Sequence, residues 1–492
     1  MASTNCWRCL ARPTNTVTNA SLLSLSRPSF STTAIVAAKV NARGGPPEKG
    51  QKSLRIKKKS FVRTGKPPAP GERKAMRKRI VLSNTNALEV PGMRDLDAGM
   101  VDQLAKVEGA EDAVLDGALI SVEGAEGEAE AEVEWVGKVV GLKGETVDSL
   151  RAVEAFKTTQ GWGLFRRPSL LVREESKELC RRMMKAASQK TPLRLAVDGE
   201  KGSGKSLILL HAMATAFVKG WVVLNIPEAQ EVTNAVNDYA PISGTNPTLW
   251  SQNTYTANWL GQIGKANNAV LQHLQLSKEH NLPIPVQSNI SLARLCELGA
   301  RDPDVAWPVF QAFWSEITAK GRPPVLMCLD SLSNIMQNSL YRAPDYSLIH
   351  AHDLAIVRHF VNHLSGSANL PNGGAVIAAT SRSHAPISKS MELAIKQAEE
   401  KAARERGFAV ELTARDPFEK AYDARADKAL QNVEVLRLKG LSKEEARGLM
   451  EYWAQSGVLR SRVDEETVTE KWALAGNGIV GEIQRGALWM RI

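Results

Sequence analysis

One segment limits what this chain can fold into more than any other: LRLAVDGEKGSGKSLILLHAMATAFV, residues 193–218. Its centre, Gly199-Glu200-Lys201-Gly202-Ser203-Gly204-Lys205-Ser206, fits the pattern G-x-x-x-x-G-K-[ST]. The pattern alone is loose, so its neighbours decide its worth. Leu193 to Val197 is a short apolar run of strand type, and Ser206 to Val218 is apolar on nearly every side. Strand, glycine loop and buried helix are the context a phosphate loop demands. In that context the backbone N–H groups turn inward on a phosphate, Lys205 reaches the β- and γ-oxygens, and the Ser206 hydroxyl ligates Mg²⁺. Leu207 completes the first helical turn, whose partial positive charge adds to the attraction.

The segments that follow read as alternating strands and helices. Gly220 to Ala229 (GWVVLNIPEA) supplies a second strand, Val325 to Leu329 a third with Asp330 at its carboxyl end, and Ala375 to Ala379 a fourth, followed by Thr380, Ser381 and Arg382. Alternation of this kind predicts an α/β fold with a parallel sheet flanked by helices, whose ligands sit at the carboxyl ends of the strands. Asp330, some 125 residues after Lys205, is then placed to hold Mg²⁺ through water, and Thr380 or Ser381 to sense the γ-phosphate. Many ATPases of this architecture carry Glu directly after that Asp to polarise the attacking water. Here Ser331 stands there, Glu228 is the nearest substitute, and Arg382 reads equally as a cis arginine finger or a surface residue. The expectation is a nucleotide site with turnover that is slow at most. No N-K-x-D segment follows, so guanine and adenine stay open.

Charge divides the chain. Residues 1–79 carry eighteen Lys and Arg against Glu48 and Glu72; with the whole chain at +10, residues 80–492 sum to −6. The first 43 residues hold four arginines, many Ser and Thr and no Asp or Glu, the composition of a mitochondrial transit peptide. Cys6 and Cys9 fall inside it, and Cys180, Cys296 and Cys328 are too far apart in sequence for a zinc pattern. Residues 44–100 read as a disordered basic arm, with thirteen Lys and Arg between Lys49 and Arg79 suited to a polyanion, and 101–145 as an acidic spacer. Structured sequence resumes near Thr146. The nucleotide-binding domain is expected over 146–410 and a small helical domain, with a winged-helix form left open, over 411–492, where Ser442 and Glu445 form a capping box. No run of about 18 apolar residues occurs, so no membrane span is expected.

Taken in order, RRPSLLVR, GEKGSGKS, WVVLNIPEA, LDSLSN, GGAVIAATS, DPFEKAY, LSKEEARGLMEYWAQSGVL and AGNG resemble the death-associated GTP-binding protein family of the mitochondrial ribosomal small subunit, over residues 150–492. The resemblance implies an AAA-like P-loop domain with a C-terminal helical domain, GTP or GDP with Mg²⁺ at Gly202 to Ser206 and Asp330, and a place in the head of the small subunit. Its partners would be small-subunit rRNA, neighbouring mitoribosomal proteins and intersubunit bridge contacts in the mitochondrial matrix. A free regulatory AAA-like NTPase is the competing reading. A helicase or recombinase is disfavoured by the acidic body.

Overall fold

Five strands organise the molecule, the inner ones buried on both faces: β1 (Pro192–Gly199), β2 (Val222–Ile226), β3 (Val325–Asp330), β4 (Gly374–Ala379) and β5 (Glu434–Leu438). They pair in parallel in the order β5-β1-β4-β3-β2. A parallel sheet covered on both sides needs strands that are apolar at nearly every position, as GAVIAA of β4 is. Side chains alternate between two cores. Ala196, Leu224, Met327, Val376 and Ala378 enter one, with the helices Asn253–Ala266, Leu292–Arg301, Ala306–Ile317 and Ala355–Ser365. Leu195, Val197, Leu326, Ile377 and Leu436 enter the other, with Gly144–Ala152, Glu174–Ser188 and Lys205–Val218. Burying a side chain such as Ile377 is worth about 1.5–3 kcal/mol.

This computed structural model describes residues 80–106, 134–287, 289–383, 385–420 and 422–489. The segment expected to be a transit peptide, the expected arm up to residue 79, most of the acidic run and Cys6 and Cys9 lie outside them. The folded body begins earlier than the charge pattern placed it. A helix at Ala98–Ala105, capped by Asp97, buries Met100, Val101 and Leu104, and Val139–Gly141 pairs with Ser169–Leu171. Residues 80–106 and 134–145, assigned from charge to arm and spacer, are therefore partly core. Their apolar residues come in short runs broken by Gly, Pro, Asn and charged residues, which give little periodicity to read.

The C-terminal boundary also moves. The helical domain is expected over 411–492, but within it Glu434–Leu438 is β5, an edge strand of the main sheet, because its alternate residues Leu436 and Leu438 face the core. Helices Lys443–Gln455 and Glu465–Leu474 follow, around a small cluster of Leu441, Met450, Trp453 and Ile483. Among the described residues this segment contains no strand to act as a wing, and it belongs to the same compact unit as the sheet. The capping box is formed: Ser442 Oγ accepts from the Glu445 N–H at 3.1 Å and Glu445 Oε2 from the Ser442 N–H at 2.8 Å. Cys180, Cys296 and Cys328 are free and buried, and burial pushes the Cys180 thiol up to about 12. No described helix is long and apolar enough to cross a membrane.

Candidate functional site

At the carboxyl end of β1 the chain turns sharply into the helix Lys205–Val218. Gly202 and Gly204 adopt φ of 81° and 97°, the left-handed region that glycine enters without strain. Gly199 is needed for a different reason: a Cβ there would lie 2.9 Å from the Leu438 carbonyl oxygen of β5. The Lys205 ammonium is buried and donates to the carbonyls of Gly199 and Glu200, both at 2.7 Å. Burial lowers its pKa, an effect that Asp198 opposes. Ser203 is buried, its carbonyl accepting from Arg173 Nη1 at 2.8 Å and its hydroxyl lacking a hydrogen-bond partner among the described residues. Glu200 and Lys201 expose their side chains, and Leu207 leans on the core while its N–H donates to the Gly204 carbonyl.

Two strands away, Asp330 ends β3. Its Oδ2 accepts from Ser206 Oγ at 2.6 Å and its Oδ1 from the Ser331 N–H at 2.8 Å. The fold thus joins the two residues expected to hold a metal across 124 positions of sequence. Lys157 completes the group by an ion pair with Asp330 Oδ2. Ser331 is buried with φ of 68°. Glu228, the substitute base of the sequence reading, is exposed and makes no side-chain cap to the helix it precedes.

Thr380, expected at the γ-phosphate, and Arg382 both engage Asp198. Thr380 Oγ1 donates to Asp198 Oδ1 at 2.6 Å, and Arg382 and Arg437 reach Asp198 Oδ2 at 3.0 and 3.1 Å. Ser381 uses its carbonyl to accept from Ser333 Oγ at 3.5 Å. Arg382, which reads equally as a cis finger or a surface residue, pairs with Asp198, and the cation beside Asp330 is Lys157. Asp198 is legible in the sequence as a charged residue near the end of an apolar strand. Lys157, Arg173 and Arg437 carry no local signal, since only the fold brings them in. A cover was also missed. The Gly481 N–H donates to the Gly202 carbonyl at 3.0 Å, and a Cβ on Gly202 would meet Ile479, so residues 479–481 lie over the loop.

The sequence profile of the mitochondrial ribosomal death-associated protein 3 family matches residues 170–486, from the strand before the Arg173 contact to the cover over the loop. The chain belongs to this family. Small ribosomal subunit protein mS29 of Neurospora crassa is 45% identical over 500 residues, spanning 99% of both chains. The Schizosaccharomyces pombe protein of the same name is 24% identical over 67% of each chain, and that of Mus musculus 22% over 43% of this chain and 55% of its own. Within the family match fall the loop, Asp198, Asp330, Thr380 and Arg437; Lys157 lies ahead of it.

Proposed function

We propose that the chain is a structural protein of the mitochondrial small ribosomal subunit, resident in the matrix, that holds a purine nucleotide at residues 199–207 as part of its folded body. What carries the ribosomal role is the end-to-end likeness to a protein named for the small subunit, at 45% identity over 99% of both chains. The nucleotide rests on the loop. An unpartnered buried Ser203 hydroxyl, a Lys205 ammonium folded onto its own carbonyls and a helix N-terminus are donors that phosphate oxygens would satisfy. The reading is GTP or GDP with Mg²⁺; ATP suits the same donors. Ser206 and Asp330 would hold the Mg²⁺, which would supply positive charge to offset that of the phosphates.

Several features favour retention over turnover. Ser331 replaces the water-polarising carboxylate, Asp198 is committed to Thr380 and two arginines, and residues 479–481 cover the loop. The basic arm would lie on rRNA phosphates, and the exposed faces of the body on neighbouring proteins and intersubunit bridge contacts. Two measurements test this. Tagged full-length protein should co-sediment with mitochondrial small subunits in high salt, whereas a wholly free pool would overturn the ribosomal role and favour a free regulatory NTPase. Acid extraction of the purified protein and chromatography should release about one purine nucleotide per chain; none would overturn the second half.

A further inference from the structure

We propose that Lys157 is a built-in cation for the phosphate end of this nucleotide, doing part of the work of Mg²⁺, so that the nucleotide stays bound when the metal is withdrawn. The proposal rests on the nucleotide reading above. Lys157 Nζ and Ser206 Oγ share one acceptor, Asp330 Oδ2, so the ammonium lies one hydrogen-bond step from the hydroxyl that would ligate the metal. Asp330 is buried, and the Lys157 side chain is 30% exposed. A cation there has little competing water on one side and the mouth of the site on the other.

The segment bearing Lys157 is braced, which separates this lysine from a mobile surface charge. The Lys157 N–H donates to Gln160 Oε1 at 2.8 Å, and the same oxygen accepts from Trp162 Nε1 at 2.8 Å. Phe156 and Trp162, both buried, meet edge to face with ring centroids 5.0 Å apart. Upstream, the Val153 carbonyl accepts from Asn225 Nδ2 of β2 at 2.8 Å, and Gln262 donates to Glu154 at 3.0 Å. The backbone is therefore pinned beside the carboxyl end of the sheet on both sides of residue 157. A fixed ammonium needs no reorganisation to meet incoming charge, and hydrogen bonds to charged groups are the strong ones.

A lysine that only neutralises Asp330 would stabilise the protein and leave the metal dependence of binding unchanged, and that difference is measurable. The full chain is loaded with methylanthraniloyl-labelled GTP, and separately ATP, and release is followed after dilution into Mg²⁺ or into EDTA. Wild type should release the label less than about 10-fold faster in EDTA than in Mg²⁺, whereas Lys157→Gln in EDTA should release it roughly 10- to 100-fold faster than wild type, as expected for one charged hydrogen bond. In Mg²⁺ the gap between the two should be several-fold narrower than in EDTA, and Lys157→Arg should recover most of the retention in EDTA. Equal release from wild type and Lys157→Gln in EDTA overturns the proposal, as does a variant that loses label equally with and without Mg²⁺. Should Lys157→Gln fail to fold, wild type decides alone: release more than about 100-fold faster in EDTA shows that no residue stands in for the metal. A wild type that takes up neither label in Mg²⁺ rejects the nucleotide reading itself, a result distinct from a metal effect without Lys157.

Discussion

Lys205 is held by two carbonyls of its own loop, so the residue that would bind phosphate also shapes the loop without it. Lys205→Ala removes both roles. Nucleotide affinity is expected to fall by about 1.5–3 kcal/mol, roughly 10- to 150-fold, in a titration with labelled nucleotide; unchanged affinity would place the phosphates elsewhere. Ser331 calls for a different expectation. It is buried and its backbone is left-handed, its N–H held by Asp330. A glutamate introduced there would bring a carboxylate into a buried position on a backbone already strained for any side chain. Ser331→Glu should therefore leave turnover far below 1 s⁻¹, the low end of ordinary enzymes, in a phosphate-release assay. A rise to that rate would show that only this carboxylate was missing.

Among the elements, the capping box at Ser442 and Glu445 was legible from S-x-x-E before an apolar repeat, because both partners lie within one helical turn. The second task of Glu445 was not legible. Its Oε1 accepts from the Glu174 N–H at 2.9 Å, so one buried carboxylate caps two helices 271 residues apart. Glu445→Gln, which turns an amide group toward one of those N–H donors, should cost about 1–3 kcal/mol in a urea unfolding series. The same contrast runs through the site. The loop and its helix are contiguous and follow from spacing, whereas the pairing of Lys157 with Asp330 spans 173 residues and follows only from packing. Strand β5 was missed because an edge strand buries only alternate residues, and over five positions that pattern reads equally as the start of a helix. Glu316 gives a further test at this scale. Burial would raise its pKa, but hydrogen bonds from Ser277, His280 and Lys278 bring it down to about 2. A carboxyl depressed in this way contributes stability that is complete above its ordinary pKa near 4.5 and is lost as the pH falls toward 2. The difference in unfolding midpoint between wild type and Glu316→Gln should therefore be constant near neutrality and shrink between pH 4.5 and 2; a difference independent of pH would refute that role.

At the scale of the whole molecule, the split between a basic N-terminal arm and a mildly acidic body sets how the chain meets a polyanion. RNA binding by the full chain should weaken steeply between 50 and 200 mM salt and show little sequence preference, as release of condensed counterions requires. Replacing the basic residues between Lys49 and Arg79 by glutamine should flatten that slope in a filter-binding or anisotropy assay, and a slope that persists would move the contact to the body. The strand order carries a consequence for how the protein is made. β1, which delivers the loop, lies between β4 and β5, and β5 pairs with it across roughly 240 residues of chain. A polypeptide emerging N-terminus first thus presents an apolar strand and the buried helix Lys205–Val218 long before either neighbouring strand exists. Until residue 379 has cleared a ribosome or an import channel both edges of β1 are unpaired, and until residue 438 has followed the β5 edge still is, so the segment is a client for holding chaperones. A product truncated ahead of β5 would remain such a client for good, with every residue of the glycine loop present and no shaped site to show for it.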